Sequence, residues 1–308
     1  MLATKENVAK LSIFAVSLLV IMKAVASIVT GSISIRADAI HSFIDLSGVI
    51  VGYIGIRISG KPADEDHAFG HGKAEHIASG IIAGLIFIAA GIILYQAIQR
   101  LISGATVELI TVGIYVTLAA IVINLLTSWY ALRVARSTDS VALEATARDL
   151  LADVLSSGAV LIGLVLVRIT GVSVLDPIVA LLVAGIIART AYLTMRKSFG
   201  GLMDTKLPRE EEDELIACIM EHSGQLAGFH EVRTRKAGSQ RFIDLHLMLP
   251  KNASVEEAHQ MCDHLEQDIE ERLPNSNVTI HVEPCSVECD QCLISSCSLR
   301  LRIQKNDA

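Results

Sequence analysis

The stretch His41-Ser42-Phe43-Ile44-Asp45 lies inside an apolar run from about Ser34 to Ile58, and its reading decides the fold. On a helix, His41 and Asp45 stand one above the other on a single face. The run is long enough to cross a bilayer, which takes about 20 residues. A carboxylate at mid-membrane costs about 2.5–3.5 kcal/mol even on the lenient insertion scale, so the chain must supply compensation. A second apolar run carries Asp149-Leu150-Leu151-Ala152-Asp153, with the same spacing. Two such helices side by side would aim one imidazole and three carboxylates at one point, the donor set of a divalent-cation site.

Around these two runs the composition is that of a polytopic membrane protein with a smaller polar domain. Of the 308 residues, 52% are hydrophobic, and the mean hydropathy is +0.51, too apolar throughout for one soluble core. A net charge of −7 argues against a nucleic-acid partner. The first apolar segment is too long for a cleaved signal peptide and lacks a small-residue cleavage site. Four of the six cysteines crowd into Cys285–Cys297 and none lies in the apolar half. That placement argues against a disulfide framework.

Apolar spans are expected at about 8–30, 34–58, 77–100, 111–134, 141–169 and 174–195, the fifth interrupted by Glu144, Arg148, Asp149 and Asp153. An even number puts both termini on one side. Lys5, Lys10, Arg57, Lys61, Lys73, Arg133, Arg136, Arg196 and Lys197 flank that side, while Arg36, Arg100 and Arg168 flank the other. The positive-inside rule makes the first side cytoplasmic. Small-residue spacings at Gly48/Gly52 and Gly80/Gly84 permit close helix approach but carry no functional weight alone.

The segment between the second and third spans, Gly60 to Lys73, is a loop by its Pro62 and three glycines. It offers Asp64, His67 and His71, either as a polar connector or as three ligands of a zinc-like site. After Lys197 the pattern changes to helix (Pro208 to about His222), strands (229–236 and 241–249), helix (Ser254 to about Leu273) and strand (Val278–Glu283). Such an αββαβ order suits a small open sheet with both helices on one face. Ser254 with Glu257 reads as a capping box. Histidines at 230, 246, 259 and 281 punctuate this region, and His281 shares a strand face with Glu283. They read either as structural residues or as a multi-metal cluster. The tail holds one CxxC, Cys289 with Cys292, which reads as an unstructured reduced tail or as a grip for a soft cation.

Taken together, the chain resembles the cation diffusion facilitator (CDF) family, specifically its bacterial zinc- and iron-exporting members, from about residue 8 to 285. The resemblance rests on His41-x3-Asp45, Pro62-Ala63-Asp64…His67-Ala68-Phe69-Gly70-His71-Gly72-Lys73-Ala74-Glu75 and Asp149-x3-Asp153. It continues through Leu202-Met203-Asp204, Arg233-Thr234-Arg235, Arg241-Phe242-Ile243…His246 and His281-Val282-Glu283-Pro284-Cys285. It implies an α-helical polytopic membrane protein with six transmembrane helices (1–200). An α+β, ferredoxin-like, metallochaperone-like cytoplasmic domain for metal binding and dimerisation follows (201–285), then a cysteine-containing tail (286–308).

The resemblance also implies roles. His41, Asp45, Asp149 and Asp153 fall at the family's transport site, and Asp64, His67 and His71 at its loop site. His230, His246, His259, His281 and Glu283 match its cytoplasmic cluster, and Lys73 and Asp204 match charges that lock two protomers together. Two positions depart from the pattern. The zinc-exporting relatives usually take their imidazole from the fifth span, whereas here His41 supplies it and Asp149 stands in its place. Glu283 replaces a usual Asp. Asp38, one turn from His41, is either an outer-side ligand or proton acceptor, or a solvated helix-end residue.

The expected function is export of a divalent transition metal, zinc before iron, cobalt, cadmium or manganese, in exchange for protons by alternating access. The setting is a homodimer in the inner membrane, with no cofactor beyond the bound metal. A metal sensor and a passive channel are the rival readings. A metalloenzyme would need a motif such as His-Glu-x-x-His. That motif is absent, so no enzymatic activity is expected.

Overall fold

The structure, a computed structural model, describes residues 4–30, 33–103, 111–172 and 174–285. The chain divides into two compact units, Met1–Leu202 and Met203–Ala308.

The first unit is helical: α1 (Lys5–Thr30), α2 (Ile33–Ser59), α3 (Ala74–Ser103), α4 (Thr111–Thr138), α5 (Val141–Thr170) and α6 (Leu175–Leu202). All six contain a stretch long and apolar enough to cross a membrane. Their outward faces carry residues such as Phe14, Ile28, Tyr115 and Leu182 in the open, as lipid-facing helices require. The small side chains go inward: Ala78, Ala83, Ala131, Ala142, Ala145 and Ala191 are buried where helices meet, which allows close packing without a water-driven core. α2 packs against α1, α3 and α5, and α5 also against α4 and α6.

Local chemistry fixes the ends of α5. The Ser140 hydroxyl accepts the Leu143 N–H as N-cap, and Gly171, at φ 72°, closes the other end by donating its N–H to the Val167 carbonyl. The charges interrupting the fifth span are compensated near its start. Arg148 lies 2.6 Å and Lys197 of α6 2.5 Å from the Glu144 carboxylate. A second buried carboxylate, Glu75, ties four segments together. It takes Lys5 Nζ at 2.6 Å, the Ser59 hydroxyl at 3.0 Å, the Ser140 hydroxyl at 2.6 Å and the Ala142 N–H at 3.4 Å.

The second unit is α7 (Arg209–Glu221), β1 (Gly228–Ala237), β2 (Gln240–Leu249), α8 (Val255–Arg272) and β3 (Ser276–Pro284). The sheet order is β1-β2-β3, with β1 antiparallel and β3 parallel to β2. Along β2 the side chains alternate, so Ile243, Leu245, Leu247 and Leu249 are buried against Leu215, Cys218 and Ile219 of α7 and Cys262, Leu265 and Ile269 of α8. Both helices therefore cover one sheet face, and His246 points to the other. Cys218 and Cys262 are free thiols within this core, and burial pushes both above the usual thiol range.

α8 begins with a complete capping box. The Glu257 N–H donates to the Ser254 hydroxyl, while the Ser254 N–H and hydroxyl donate to Glu257 Oε2 at 2.7 and 2.9 Å. These bonds, the backbone one first, hold the Glu257 carboxyl below its ordinary range. A depressed carboxyl stabilises the fold above its unfolded pKa and loses that contribution as the pH falls through the folded one. Ser254→Ala should therefore weaken α8 near neutral pH, read as faster hydrogen exchange of its first-turn amides. The gap from the native chain should narrow below about pH 4.

Candidate metal centres

Within the helical unit, close approach of α2 and α5 assembles the first group. A Cβ added to Gly52 would lie 2.4 Å from Thr146 Oγ1, and one added to Gly48 would lie 3.2 Å from Asp149 Oδ2. Only the absence of side chains at these two positions lets the helices touch. The other spacing is looser, since Cβ atoms at Gly80 and Gly84 would meet Ser198 and Met195 at ordinary distances of 3.8 and 3.9 Å. With α2 and α5 drawn together, ligand atoms of His41, Asp45 and Asp153 come within 4.8 Å of one another. His41 Nε2 is 3.9 Å from Asp45 Oδ1. Asp149 is 8% exposed and lines a small cavity with Asp45, Asp153, Asn124, Ser42, Val16, Leu19 and Leu150. Asp45 and Asp153 are thus common to both groupings, with His41 joining them in one and Asp149 in the other.

In the loop between α2 and α3, Asp64, His67 and His71 also converge within 4.8 Å. Asp64 Oδ1 accepts the His67 N–H at 2.7 Å and lies 3.0 Å from His67 Nδ1, while Oδ2 lies 3.4 Å from His71 Nε2. His71 Nδ1 donates to the Pro62 carbonyl at 3.2 Å, which leaves Nε2 as its acceptor. Gly70, at φ 73°, provides the turn between the two histidines. The hydrogen bond from His67 holds the Asp64 carboxyl below its ordinary range. A carboxylate already ionised beside two imidazoles is a ready hard–borderline donor set.

In the second unit, sheet register sets three histidines abreast. His230 pairs with His246 across the antiparallel ladder, and His246 with His281 across the parallel one. Ring centroids are 5.2 and 4.7 Å apart. Glu283 reaches all three, with Oε1 3.0 Å from His246 Nδ1 and 3.7 Å from His281 Nε2, and Oε2 3.4 Å from His230 Nε2. Of the histidines expected in this cluster, His259 stands apart on α8, exposed and 3.4 Å from Asp263. Lys73 Nζ lies 3.5 Å from the Leu202 carbonyl, and Asp204, at φ 54°, lies 3.5 Å from Arg235. Asp38 is on α2, but its side chain lies outside the described part of the structure, as do Cys289 and Cys292.

Comparison with known proteins adds a match of residues 9–203 to the cation efflux transmembrane domain and of residues 207–285 to the cation efflux protein cytoplasmic domain. The chain belongs to the cation diffusion facilitator family. The transporter sll1263 of Synechocystis is 35% identical over 85% of this chain and 85% of its own length. The cation-efflux pump FieF of Cronobacter sakazakii is 35% identical over 88% of this chain and 90% of its own. Among solved structures, the transporter CzrB in its Zn form is 39% identical with a TM-score of 0.26, over 26% of this chain and 92% of that one. The metal-bound C-terminal domain of the CzcD transporter from Thermotoga maritima is 27% identical with a TM-score of 0.24, over 25% and 94%. Members of the CDF family are multi-span membrane transporters of cations, not enzymes.

Several residues at these centres escaped the sequence reading. Asn124 of α4, 3% exposed, donates through Nδ2 to Asp153, and its Oδ1 is buried without a hydrogen-bond partner. Lys23 of α1, 1% exposed, donates to the Ser42 hydroxyl at 2.7 Å beside the same cavity. A lysine inside an otherwise apolar span was a readable signal, whereas Asn124 had none. A bulge between His230 and Arg233 turns Glu231, at φ 50°, to within 3.8 Å of His246. In the CDF transport domain the α2–α5 contact is the feature that holds the centre together. Gly52→Val should reduce cation efflux from vesicles to background while the protein still inserts and purifies, because the added methyls must push Thr146 away. Efflux at the native rate would show that the helices need not touch.

Proposed function

We propose that this chain exports divalent transition metals, zinc foremost, from the cytoplasm in exchange for protons, using His41, Asp45, Asp149 and Asp153 as the transport site. What supports this reading is that His41 converges with Asp45 and Asp153, and that Asp149 shares a cavity with the same two carboxylates, between two helices apolar enough to span a membrane in a cation efflux protein. An imidazole favours zinc or iron over magnesium and calcium, and the carboxylates keep the site open to harder ions. Carboxylates in a hydrocarbon setting need a neutralising cation in both halves of a transport cycle. Metal serves in one half and protons in the other, because binding requires deprotonated ligands.

Both termini are cytoplasmic in this reading. The match of residues 207–285 to a cytoplasmic domain after six candidate spans supports this, and the basic flanks agree. The protein works as a homodimer in the bacterial inner membrane, with Lys73 and Asp204 as charges that lock the protomers. Asp64, His67 and His71 form a loop site. His230, His246, His281 and Glu283 form the cytoplasmic cluster that tightens the dimer when metal is abundant.

Reconstituted liposomes followed for zinc flux and internal pH test the transport reading. Zinc and protons should move in opposite directions, and Asp153→Ala should lose both while remaining a folded dimer. Zinc flux without proton movement would make the protein a passive channel, and binding without flux of any metal a sensor. For the cytoplasmic cluster, replacing His246 and His281 by Ala should lower zinc stoichiometry and weaken dimerisation in sedimentation. No change in either would make those histidines structural.

A further inference from the structure

The helix layer of the second unit holds a group of metal-ligating side chains that neither the transport reading nor the strand cluster uses. His222 caps the C-terminal end of α7, and its N–H donates back to the Ile219 and Met220 carbonyls. His264 and Asp268 are one turn apart on α8. Ligand atoms of the three lie within 4.8 Å of one another. His222 Nε2 is 3.1 Å and His264 Nε2 is 3.9 Å from the same Asp268 oxygen, Oδ2. The two rings stand edge to face with centroids 5.2 Å apart.

Protonation decides what this arrangement can hold. His222 Nδ1 lies 3.1 Å from the Cys218 carbonyl and must donate to it, so in the neutral ring Nε2 is a lone pair aimed at a carboxylate oxygen. Two acceptors at that distance repel unless a cation joins them. One proton on His222 would serve that pair alone and leave His264 converging on the same oxygen for no gain. A metal ion takes all three at once. Zinc–nitrogen and zinc–oxygen bonds of about 2.0–2.1 Å in a tetrahedron place ligand atoms about 3.3 Å apart, and the two measured separations bracket that value. The carbonyl-anchored imidazole is the arrangement that orients histidine ligands in metal sites. The C-terminus of α7 adds a favourable field for a cation. The nearby Arg272 does not occupy the spot, because its guanidinium donates to both carboxylate oxygens of Glu221.

We propose that His222, His264 and Asp268 bind a late first-row divalent cation, zinc or cobalt in class, with water completing the coordination. The site clasps α7 to α8. It lies on the sheet face opposite His230, His246 and His281, so it fills independently of that cluster and does not depend on the transport reading. Two nitrogen donors and one oxygen disfavour magnesium and calcium, which take oxygen ligands.

The experiment uses the full-length protein in detergent, with zinc and cobalt as probes. His264 is exposed, so His264→Ala should leave the fold intact while removing one equivalent of bound zinc per chain by equilibrium dialysis. The same substitution should abolish the protection from hydrogen exchange that zinc confers at the end of α7. His264→Cys should restore binding and add a cobalt–thiolate charge-transfer band beyond any that the native chain's own cysteines give. Unchanged zinc stoichiometry in His264→Ala overturns the proposal and leaves an ion pair. Absence of the thiolate band in His264→Cys overturns it equally, since residue 264 would then not touch the metal. Transport activity is not a readout in either arm, so failure here leaves the export reading standing.

Discussion

Three carboxylates inside an apolar bundle are the constraint to which the rest of the helical unit answers. Asp45, Asp149 and Asp153 surround one small cavity, and their mutual repulsion is tolerable only with a cation between them or protons on them. Everything around the cavity serves to keep them there. Gly48 and Gly52 remove the side chains that would hold α2 and α5 apart, Asn124 restrains Asp153, and Lys23 brings an ammonium group to Ser42. The contrast with Glu75 is instructive. That carboxylate is fully buried, yet Lys5, Ser59, Ser140 and the Ala142 N–H meet it directly. It is a structural tie, and removing one partner would strand a buried charge at a cost of about 3–5 kcal/mol. In the proposed reading, the carboxylates around the cavity are instead met by a transported cation.

The second unit solves a different problem with ordinary sheet geometry. Alternation along β2 sends Ile243, Leu245 and Leu247 to the helices and leaves His246 on the open face. Because β1 is antiparallel and β3 parallel to β2, a single register lines up His230, His246 and His281 across the strands. No loop has to be ordered to bring them together. The ligand row is therefore as rigid as the ladder that carries it, and Glu283 needs only a rotamer to serve all three.

Much of this was legible in the chain itself, for reasons specific to each element. The six spans announce themselves by composition, but hydropathy reads the thickness of hydrocarbon rather than the length of a helix. α3 begins at Ala74, α4 runs to Thr138 and α6 to Leu202, all beyond their apolar runs, since charged residues extend helices past the bilayer at no penalty. The pairs His41/Asp45 and Asp149/Asp153 were readable because i, i+4 spacing is local. Asn124 and the His222–Asp268 pair were not, because their meaning depends on which helix lies alongside. His222 in particular looks like one more residue at a helix end until α8 sets Asp268 3.1 Å away. Gly48 and Gly52 form a spacing common in membrane helices, and only the short reach to Thr146 and Asp149 separates them from Gly80 and Gly84.

The exchange of His41 and Asp149 relative to the usual zinc-exporting pattern has a physical consequence in this geometry. The two positions are not equivalent, because Asp149 is buried and touches the Gly48 face of α2, whereas His41 is half-buried near the other end of the group. Placing the imidazole at the enclosed position would give the cavity a borderline nitrogen donor at its most buried corner. Here that corner holds a carboxylate, and the imidazole sits at the more exposed position. The donor count is the same, but the enclosed part of the site is harder and more dependent on a positive charge. Metals that accept oxygen readily gain relative to those that prefer nitrogen. In the proposed transport reading, metal preference is thus set less by which residues the site contains than by which of them the helix contact buries.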